Sequence, residues 1–163
     1  MANTYTQIYM HIVFAVSHRE AMIDNAWMDK LYAYMVGICH NRKHFVHAIG
    51  GTADHVHLLV GMNPSDSVSD LVKNLKGTSS HWINENYYNG RFSWQSGYGA
   101  FAYSRSLIPE VKRYVENQRE HHRRISFREE VERMFQNAGI EYNPEYMMYG
   151  FLQPEDAGGI RQG

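Results

Sequence analysis

The order of two hydrophobic periodicities along the chain limits the folds that it can adopt. In four segments the side chains alternate between two faces, which is typical of strands, and in two others apolar residues recur every three or four positions, which is typical of amphipathic helices. In chain order the prediction is strand, helix, strand, strand, helix, strand, at about residues 5–16, 25–41, 44–49, 54–62, 67–83 and 98–104.

Local signals support these boundaries. Gly50-Gly51 predicts a turn between the second and third strands. Ser67, with Asp70 three residues later, predicts the N-cap of the second helix. The order of the elements predicts an α+β domain of the ferredoxin-like (RRM-like) kind, a four-stranded antiparallel sheet with two helices on one face.

Two further helices are predicted beyond this core. Ser106 is predicted to cap the first of them, and Ser126 begins the second, which Gly139 ends. We therefore expect a core over residues 1–124 and a C-terminal helical extension and tail of the same domain over residues 125–163.

Composition excludes several classes of protein. Cys39 is the single cysteine, so a disulfide framework is impossible and a reducing, cytoplasmic location is expected. No apolar run approaches the roughly 18–20 residues of a membrane span. With 44% hydrophobic and 13% aromatic residues, the chain is not predicted to be disordered.

The charge is unevenly distributed, although the net charge is only −1. Residues 105–128 contain seven Arg or Lys against three Glu, whereas residues 129–163 contain two Arg against seven acidic residues. A basic segment followed by an acidic one can bind phosphates locally, and the alternative is ordinary solvated helix surface.

Two short motifs carry possible chemistry. His55 and His57 project from one face of a predicted strand, roughly 6.6–7 Å apart at Cα, and can converge on a divalent cation. The alternative is a pair of half-exposed histidines on a solvated face. Tyr114 and Gln118 are four residues apart on a predicted helix and therefore point the same way. Here the alternative is a core tyrosine and an exposed glutamine.

Together the motifs predict a more specific site. His55, His57 and the amide oxygen of Gln118 form an N,N,O ligand set that suits Mg²⁺ or Mn²⁺. The phenol of Tyr114, one helical turn from a ligand, is then placed to attack phosphorus.

These residues resemble the single-tyrosine HUH transposases of the insertion sequence 200/605 group. The resemblance covers about residues 5–124 and rests on four runs in the same order: His11-Ile12-Val13-Phe14, Asp54-His55-Val56-His57-Leu58-Leu59-Val60, Trp94-Gln95 with Tyr98-Gly99-Ala100-Phe101, and Lys112-Arg113-Tyr114-Val115-Glu116-Asn117-Gln118 with His121-His122.

The resemblance implies a function. Members of this group cut single-stranded DNA at element ends that carry imperfect hairpins, and they rejoin the strands through a 5′-phosphotyrosine intermediate. It implies that Tyr114 is the nucleophile, that His55 and His57 bind the metal with Gln118 as third ligand, and that the enzyme is a homodimer. Because the covalent ester conserves the energy of the broken bond, no nucleotide cofactor is expected.

Residues that contact DNA are predicted from charge and aromatic character. The candidates for phosphate contacts are Lys73, Lys76, Arg105, Arg113, Arg119, Arg123 and Arg124. Trp94, Tyr98 and Phe101 are candidates for stacking on unpaired bases, with core packing as the alternative. His11 is predicted either to flank the site or to be a structural histidine.

Two other functions stay open at the level of sequence. The first is a domesticated or non-mobile protein that binds or nicks hairpin DNA on the same fold. The second is a metal hydrolase, which would require further Asp or Glu ligands. Strand alternation predicts that Asp54 faces away from the histidine pair and cannot supply one.

Overall fold

Four strands form one antiparallel sheet in the residues that the structure describes. The structure is a computed structural model that describes residues 3–141. It contains β1 (Tyr9–Ala15), β2 (Phe45–Gly51), β3 (His55–Gly61) and β4 (Gly99–Tyr103). Their order is β2-β3-β1-β4, so β3 lies in the interior of the sheet, between β2 and β1. The predicted ferredoxin-like arrangement is confirmed.

Two long helices cover one face of the sheet. They are α1 (Met28–Asn41) and α2 (Val68–Ile83). The Ser67 hydroxyl accepts a hydrogen bond from the Asp70 backbone N–H, which confirms the predicted cap of α2. The apolar sides of both helices pack on alternate residues of β1 and β3, and this main core includes Ile12, Phe14, Leu31, Met35, Leu58, Val60, Leu71 and Leu75.

Three further helices lie on the other face. They are α3 (Ile108–Glu116), α4 (Gln118–His121) and α5 (Phe127–Ala138). Val111 and Val115 of α3 pack on Ala48 and Leu59. A separate apolar cluster fixes α5 to β1 and β4, and it contains Val13, Ala15, Phe101, Phe127, Val131 and Met134. Odd-numbered residues of β3, including the two histidines, therefore lie beneath helices.

Two local predictions are wrong. Ser106 does not cap α3: it lies in a 3₁₀ turn over Arg105–Leu107, and α3 begins at Ile108 without a side-chain cap. Gly50 and Gly51 do not form a turn but belong to β2. Gly50 is required there because the backbone of α3 packs directly on the strand, and a Cβ atom on it would lie 2.1 Å from the carbonyl oxygen of Val115. A Cβ atom on Gly51 would instead lie 2.2 Å from the carbonyl oxygen of His55.

Gly50→Ala is therefore expected to destabilise the protein. The atom in the way belongs to the backbone of α3, so the helix that carries Tyr114 must move. We expect a loss of about 1–3 kcal/mol in the free energy of unfolding, measured by urea denaturation. Gly37→Ala is the control, because a Cβ atom there meets nothing within 4 Å, and it should stabilise α1. Equal stability of the two variants would contradict the close approach of α3.

None of the helices over residues 3–141 combines the length and apolar character needed to cross a membrane.

Candidate active site

The two histidines of the His-x-His motif lie side by side beneath the helices on the second face. His55 and His57 project from one face of β3, as alternation predicts, and their ring centroids are 5.1 Å apart. Their exposed fractions are 1% and 0%. The alternative of two half-exposed histidines on a solvated face does not describe this structure, because α4 and α5 cover the pair.

Gln118 contacts this pair from α4. The spacing predicted one continuous helix through Tyr114 and Gln118, but the helix breaks at Asn117, where φ is −107° and ψ is 25°. The Gln118 amide nitrogen donates to the Tyr114 carbonyl at 3.1 Å, which turns the amide oxygen to 3.2 Å from His55 Nε2. The break therefore places both members of the tyrosine motif next to the histidines.

Glu130 of α5 is the main residue that sequence reasoning missed. Its side chain is 1% exposed and lies between the histidine pair and the tyrosine. Oε1 is 2.9 Å from His57 Nε2 and 3.7 Å from His55 Nε2, whereas Oε2 accepts a hydrogen bond from the Tyr114 hydroxyl. Its position could have been found from the helical spacing of Phe127, Glu130 and Val131, which puts this carboxylate on the apolar side of α5.

Two more histidines surround the same carboxylate. His121 Nε2 is 3.2 Å from Glu130 Oε2, and His122 Nε2 is 3.2 Å from Oε1. One potential ligand atom from each of His55, His57, His122 and Glu130 lies within 4.8 Å of the others. The helices on this face of the sheet thus enclose a cluster of imidazoles and one carboxylate, which lies on β3.

Neighbouring side chains orient the paired histidines. Asp54 Oδ1 is 2.7 Å from His55 Nδ1, and the Thr52 hydroxyl donates to the same carboxylate oxygen. The prediction that Asp54 faces away is wrong, since it precedes β3 in a bend to which strand alternation does not apply. His11 Nε2 is 2.7 Å from His57 Nδ1, so His11 flanks the site.

We expect Asp54→Asn to weaken divalent-cation binding by about 10–100-fold, the usual effect of removing a partner that orients a ligand histidine. The aspartate accepts from His55 Nδ1 and so directs the Nε2 lone pair toward Gln118. Asp24→Asn, at the turn before α1, is the control. Unchanged Mn²⁺ affinity in Asp54→Asn would show that this carboxylate does not orient a ligand.

Burial sets the charges in the site. It lowers the pKa of His57 to about 4, and burial beside His57 lowers the pKa of His11 to about 3, so both rings are neutral at pH 7. Burial alone would raise the pKa of Glu130, but the surrounding imidazoles and their hydrogen bonds lower it below its ordinary value. Burial and the adjacent Glu130 carboxylate raise the pKa of the Tyr114 phenol, which is therefore protonated at pH 7.

The predicted ligand set fits a divalent cation by its chemistry. A neutral His57 offers a lone pair, as metal binding requires, and His55 Nε2 and the Gln118 carbonyl oxygen face each other at 3.2 Å. A nearby cation would also offset the negative charge that raises the pKa of Tyr114.

A cavity of about 380 Å³ lies beside the tyrosine. Tyr114, His121 and Glu130 line it, together with Tyr103 and Arg133. It is large enough to admit part of a nucleotide to the Tyr114 hydroxyl.

The predicted phosphate contacts lie in different surroundings. Lys73 is exposed beside a groove along α2, and Arg113 lines a second groove that includes Tyr114. Lys76 instead donates to the Gln95 carbonyl at 2.8 Å, and burial lowers its pKa to about 8. The structure thus places Lys73 and Arg113 at open grooves and Lys76 at a structural contact.

Three other arginines lie around α3 and α4. Arg119 donates to Asn25 Oδ1 at 2.7 Å, and Arg123 pairs with Glu120 at 3.3 Å. Arg105 is exposed in the 3₁₀ turn before α3. Their guanidinium groups are thus distributed along the helical face, and none of the three is within the buried cluster.

The aromatic candidates divide between core and surface. Trp94 and Phe101 are buried in the two apolar clusters, and the Trp94 indole donates to Ser79 at 2.9 Å. Tyr98 is 37% exposed. Tyr98 therefore keeps a surface on which a base can stack, whereas the packing alternative describes the other two.

Comparison with known proteins connects this geometry to a family. A family model described as "Transposase IS200 like" matches residues 4–118. The ISDra2 transposase TnpA of Deinococcus radiodurans is 25% identical over 119 residues, which cover 69% of this chain and 84% of the relative.

Two solved structures share the fold. A crystal structure of a candidate transposase from Deinococcus radiodurans R1 has a TM-score of 0.58 at 24% identity, covering 72% of this chain and 96% of that one. The structure of a REP-associated tyrosine transposase bound to a REP hairpin has a TM-score of 0.54 at 13% identity, covering 71% and 68%. At these identities the likeness concerns the fold.

Proposed function

The chain belongs to the IS200-like transposase family, and from that premise we propose that it cuts and rejoins single-stranded DNA through a covalent bond to Tyr114. The proposed substrate is DNA that carries imperfect hairpins at the ends of an element. Support for a DNA partner comes from the structural neighbour that is bound to a hairpin.

A single arrangement carries this proposal: the Tyr114 phenol and the His55–His57 pair meet around one carboxylate within one protomer. Tyr114 donates to Glu130, and Glu130 contacts His57. The nucleophile and the proposed cation site thus contact the same carboxylate from its two sides. A homodimer stays a prediction, since this arrangement uses residues of one chain.

The residues of the chain have distinct roles in the proposed reaction. The Tyr114 phenol gives up its proton as its oxygen attacks phosphorus and forms an O–P bond. The bond from phosphorus to the 3′ oxygen breaks, and that oxygen takes up a proton and leaves as a 3′-OH, so no proton is gained or lost overall. In the reverse reaction a 3′-OH attacks the phosphotyrosine and releases the phenol. His55, His57 and Gln118 would hold Mg²⁺ or Mn²⁺, which supplies charge stabilisation for the phosphate oxygens.

An adduct assay tests the proposal. The wild-type protein is incubated with hairpin DNA from the ends of its own element, labelled on the 3′ side of the cut, with Mg²⁺ or Mn²⁺. We expect a covalent protein–DNA band that survives denaturation and disappears with EDTA. The same sequence as a perfect duplex should give no band. Cleavage without an adduct would contradict the proposal.

The metal hydrolase remains a second candidate because of one observation. A metal hydrolase requires an additional carboxylate as a ligand, and Glu130 supplies one. However, the Tyr114 hydroxyl lies against this carboxylate, where a hydrolase would activate water. A hydrolase would release both DNA ends free, so the adduct assay separates the two reactions. A non-mobile protein that nicks hairpin DNA would form the same adduct and would differ only in its genomic setting.

A further inference from the structure

We infer that Glu130 is a fourth ligand of the cation held by His55, His57 and Gln118. The inference rests on the proposed function, because it concerns the same cation. It adds a charged oxygen donor from α5 to a site whose other donors come from β3 and α4.

The distances around Glu130 match those between neighbouring ligands of one ion. Two donors about 2.1 Å from an ion, at a right angle, are about 3.0 Å apart. Glu130 Oε1 is 2.9 Å from His57 Nε2 and 3.7 Å from His55 Nε2, and Gln118 Oε1 is 3.2 Å from His55 Nε2. These three separations are short enough for the four atoms to share one ion.

A buried nitrogen indicates the same point. His122 Nε2 lies 3.2 Å from Glu130 Oε1, yet it forms no hydrogen bond of acceptable geometry among the described residues. It belongs with His55, His57 and Glu130 to the group whose donor atoms lie within 4.8 Å of one another. Such convergence without hydrogen-bond alignment is typical of side chains gathered around an ion.

Packing of α5 holds the carboxylate in this position. The Ser126 hydroxyl caps the helix at Glu129 N–H, and the Phe127 ring stacks on the His55 ring with centroids 4.3 Å apart. Val131 and Met134 anchor the next turn in the apolar cluster on β1 and β4. Because its helix is fixed directly on a histidine ligand, Glu130 is pre-positioned.

A carboxylate ligand changes the expected metal preference and affinity. A negative oxygen strengthens binding of any divalent ion, and the imidazoles favour transition metals, so Mn²⁺ should bind more tightly than Mg²⁺. A role confined to the hydrogen bond with Tyr114 would leave the affinity for a cation, measured without DNA, almost unchanged.

The test is a titration of the full-length protein with Mn²⁺ in the absence of DNA. Free Mn²⁺ is followed by electron paramagnetic resonance for the wild type and for Glu130→Gln, Glu129→Gln and His55→Ala. We expect Glu130→Gln to weaken binding by about 100-fold or more, beyond the effect of losing an outer partner. The exposed Glu129, one residue earlier, is the matched control and should bind as the wild type does.

A spectroscopic readout distinguishes a ligand from a structural residue. The visible absorption bands of the Co²⁺-loaded protein should shift in Glu130→Gln and stay unchanged in Glu129→Gln. If Glu130→Gln does not fold, Glu130→Asp is measured instead. Aspartate keeps the charge but is one methylene shorter, so its carboxylate lies farther from the other proposed ligands. Wild-type affinity and an unshifted spectrum in Glu130→Asp would then overturn the inference.

The result also separates this inference from the proposed function. Loss of Mn²⁺ binding in His55→Ala with wild-type affinity in Glu130→Gln overturns the role of Glu130 and leaves the proposed site intact. Failure of the wild type to bind Mn²⁺ at millimolar concentration overturns both.

Discussion

Tyr114→Phe is expected to form no covalent adduct with hairpin DNA, a loss on the order of 10⁴-fold or more. The substitution removes one oxygen atom, the proposed nucleophile, and keeps the ring in its contacts with His121 and His11, whose centroids are 4.9 and 5.9 Å away. DNA binding, measured by fluorescence anisotropy, should therefore change by less than about threefold. The adduct is measured on a denaturing gel.

Tyr103→Phe is the matched control for this experiment. Its phenol lines the same cavity, so it tests whether any hydroxyl at this surface serves as the nucleophile. We expect Tyr103→Phe to form the adduct at nearly the wild-type rate. If Tyr114→Phe forms the adduct and Tyr103→Phe does not, the assignment of the nucleophile is wrong.

His55→Ala is expected to abolish cation-dependent cleavage, with a loss on the order of 10³-fold or more. The imidazole is fully covered, faces the Gln118 amide oxygen and is oriented by Asp54, so its removal takes a nitrogen directly out of the proposed ligand set. Single-turnover cleavage with Mg²⁺ or Mn²⁺ measures the effect, and urea unfolding measures the cost of the cavity.

His47→Ala is the control for His55→Ala. His47 lies on the neighbouring strand β2 and contacts Tyr9 and Phe45. Cleavage by this variant should match that of the wild type. Normal cleavage by His55→Ala at saturating metal would contradict the proposed cation site.

The ferredoxin-like core was predictable because its signals are local. Alternation over β1 and β3 assigns their residues to opposite faces, and Ser67 with Asp70 marks the start of α2 by a hydrogen bond within one turn. Each such signal depends on neighbours in the sequence. Strand alternation also placed His55 and His57 on one face correctly.

The rest of the site depends on contacts between distant segments. Gly50-Gly51 has the composition of a turn, and only the approach of α3, more than 60 residues later, explains Gly50 as part of a strand. Glu130 is 73 residues from His57, its hydrogen-bond partner. The helical spacing predicts that Glu130 lies on the apolar side of α5. It does not predict the imidazoles from distant segments that offset the cost of burying the carboxylate.

The covering of β3 by α4 and α5 has a consequence for which form of DNA, single-stranded or double-stranded, could reach the proposed site. His55, His57, Gln118 and Glu130 are all at 1% exposure or less, so under the proposed function a phosphate would approach them from a cleft such as the one beside Tyr114. A paired helix is too bulky to enter a cleft of about 380 Å³, whereas one extruded strand is not. Double-stranded DNA would then be excluded by its diameter, and contacts with the bases would be made at other surfaces of the protein.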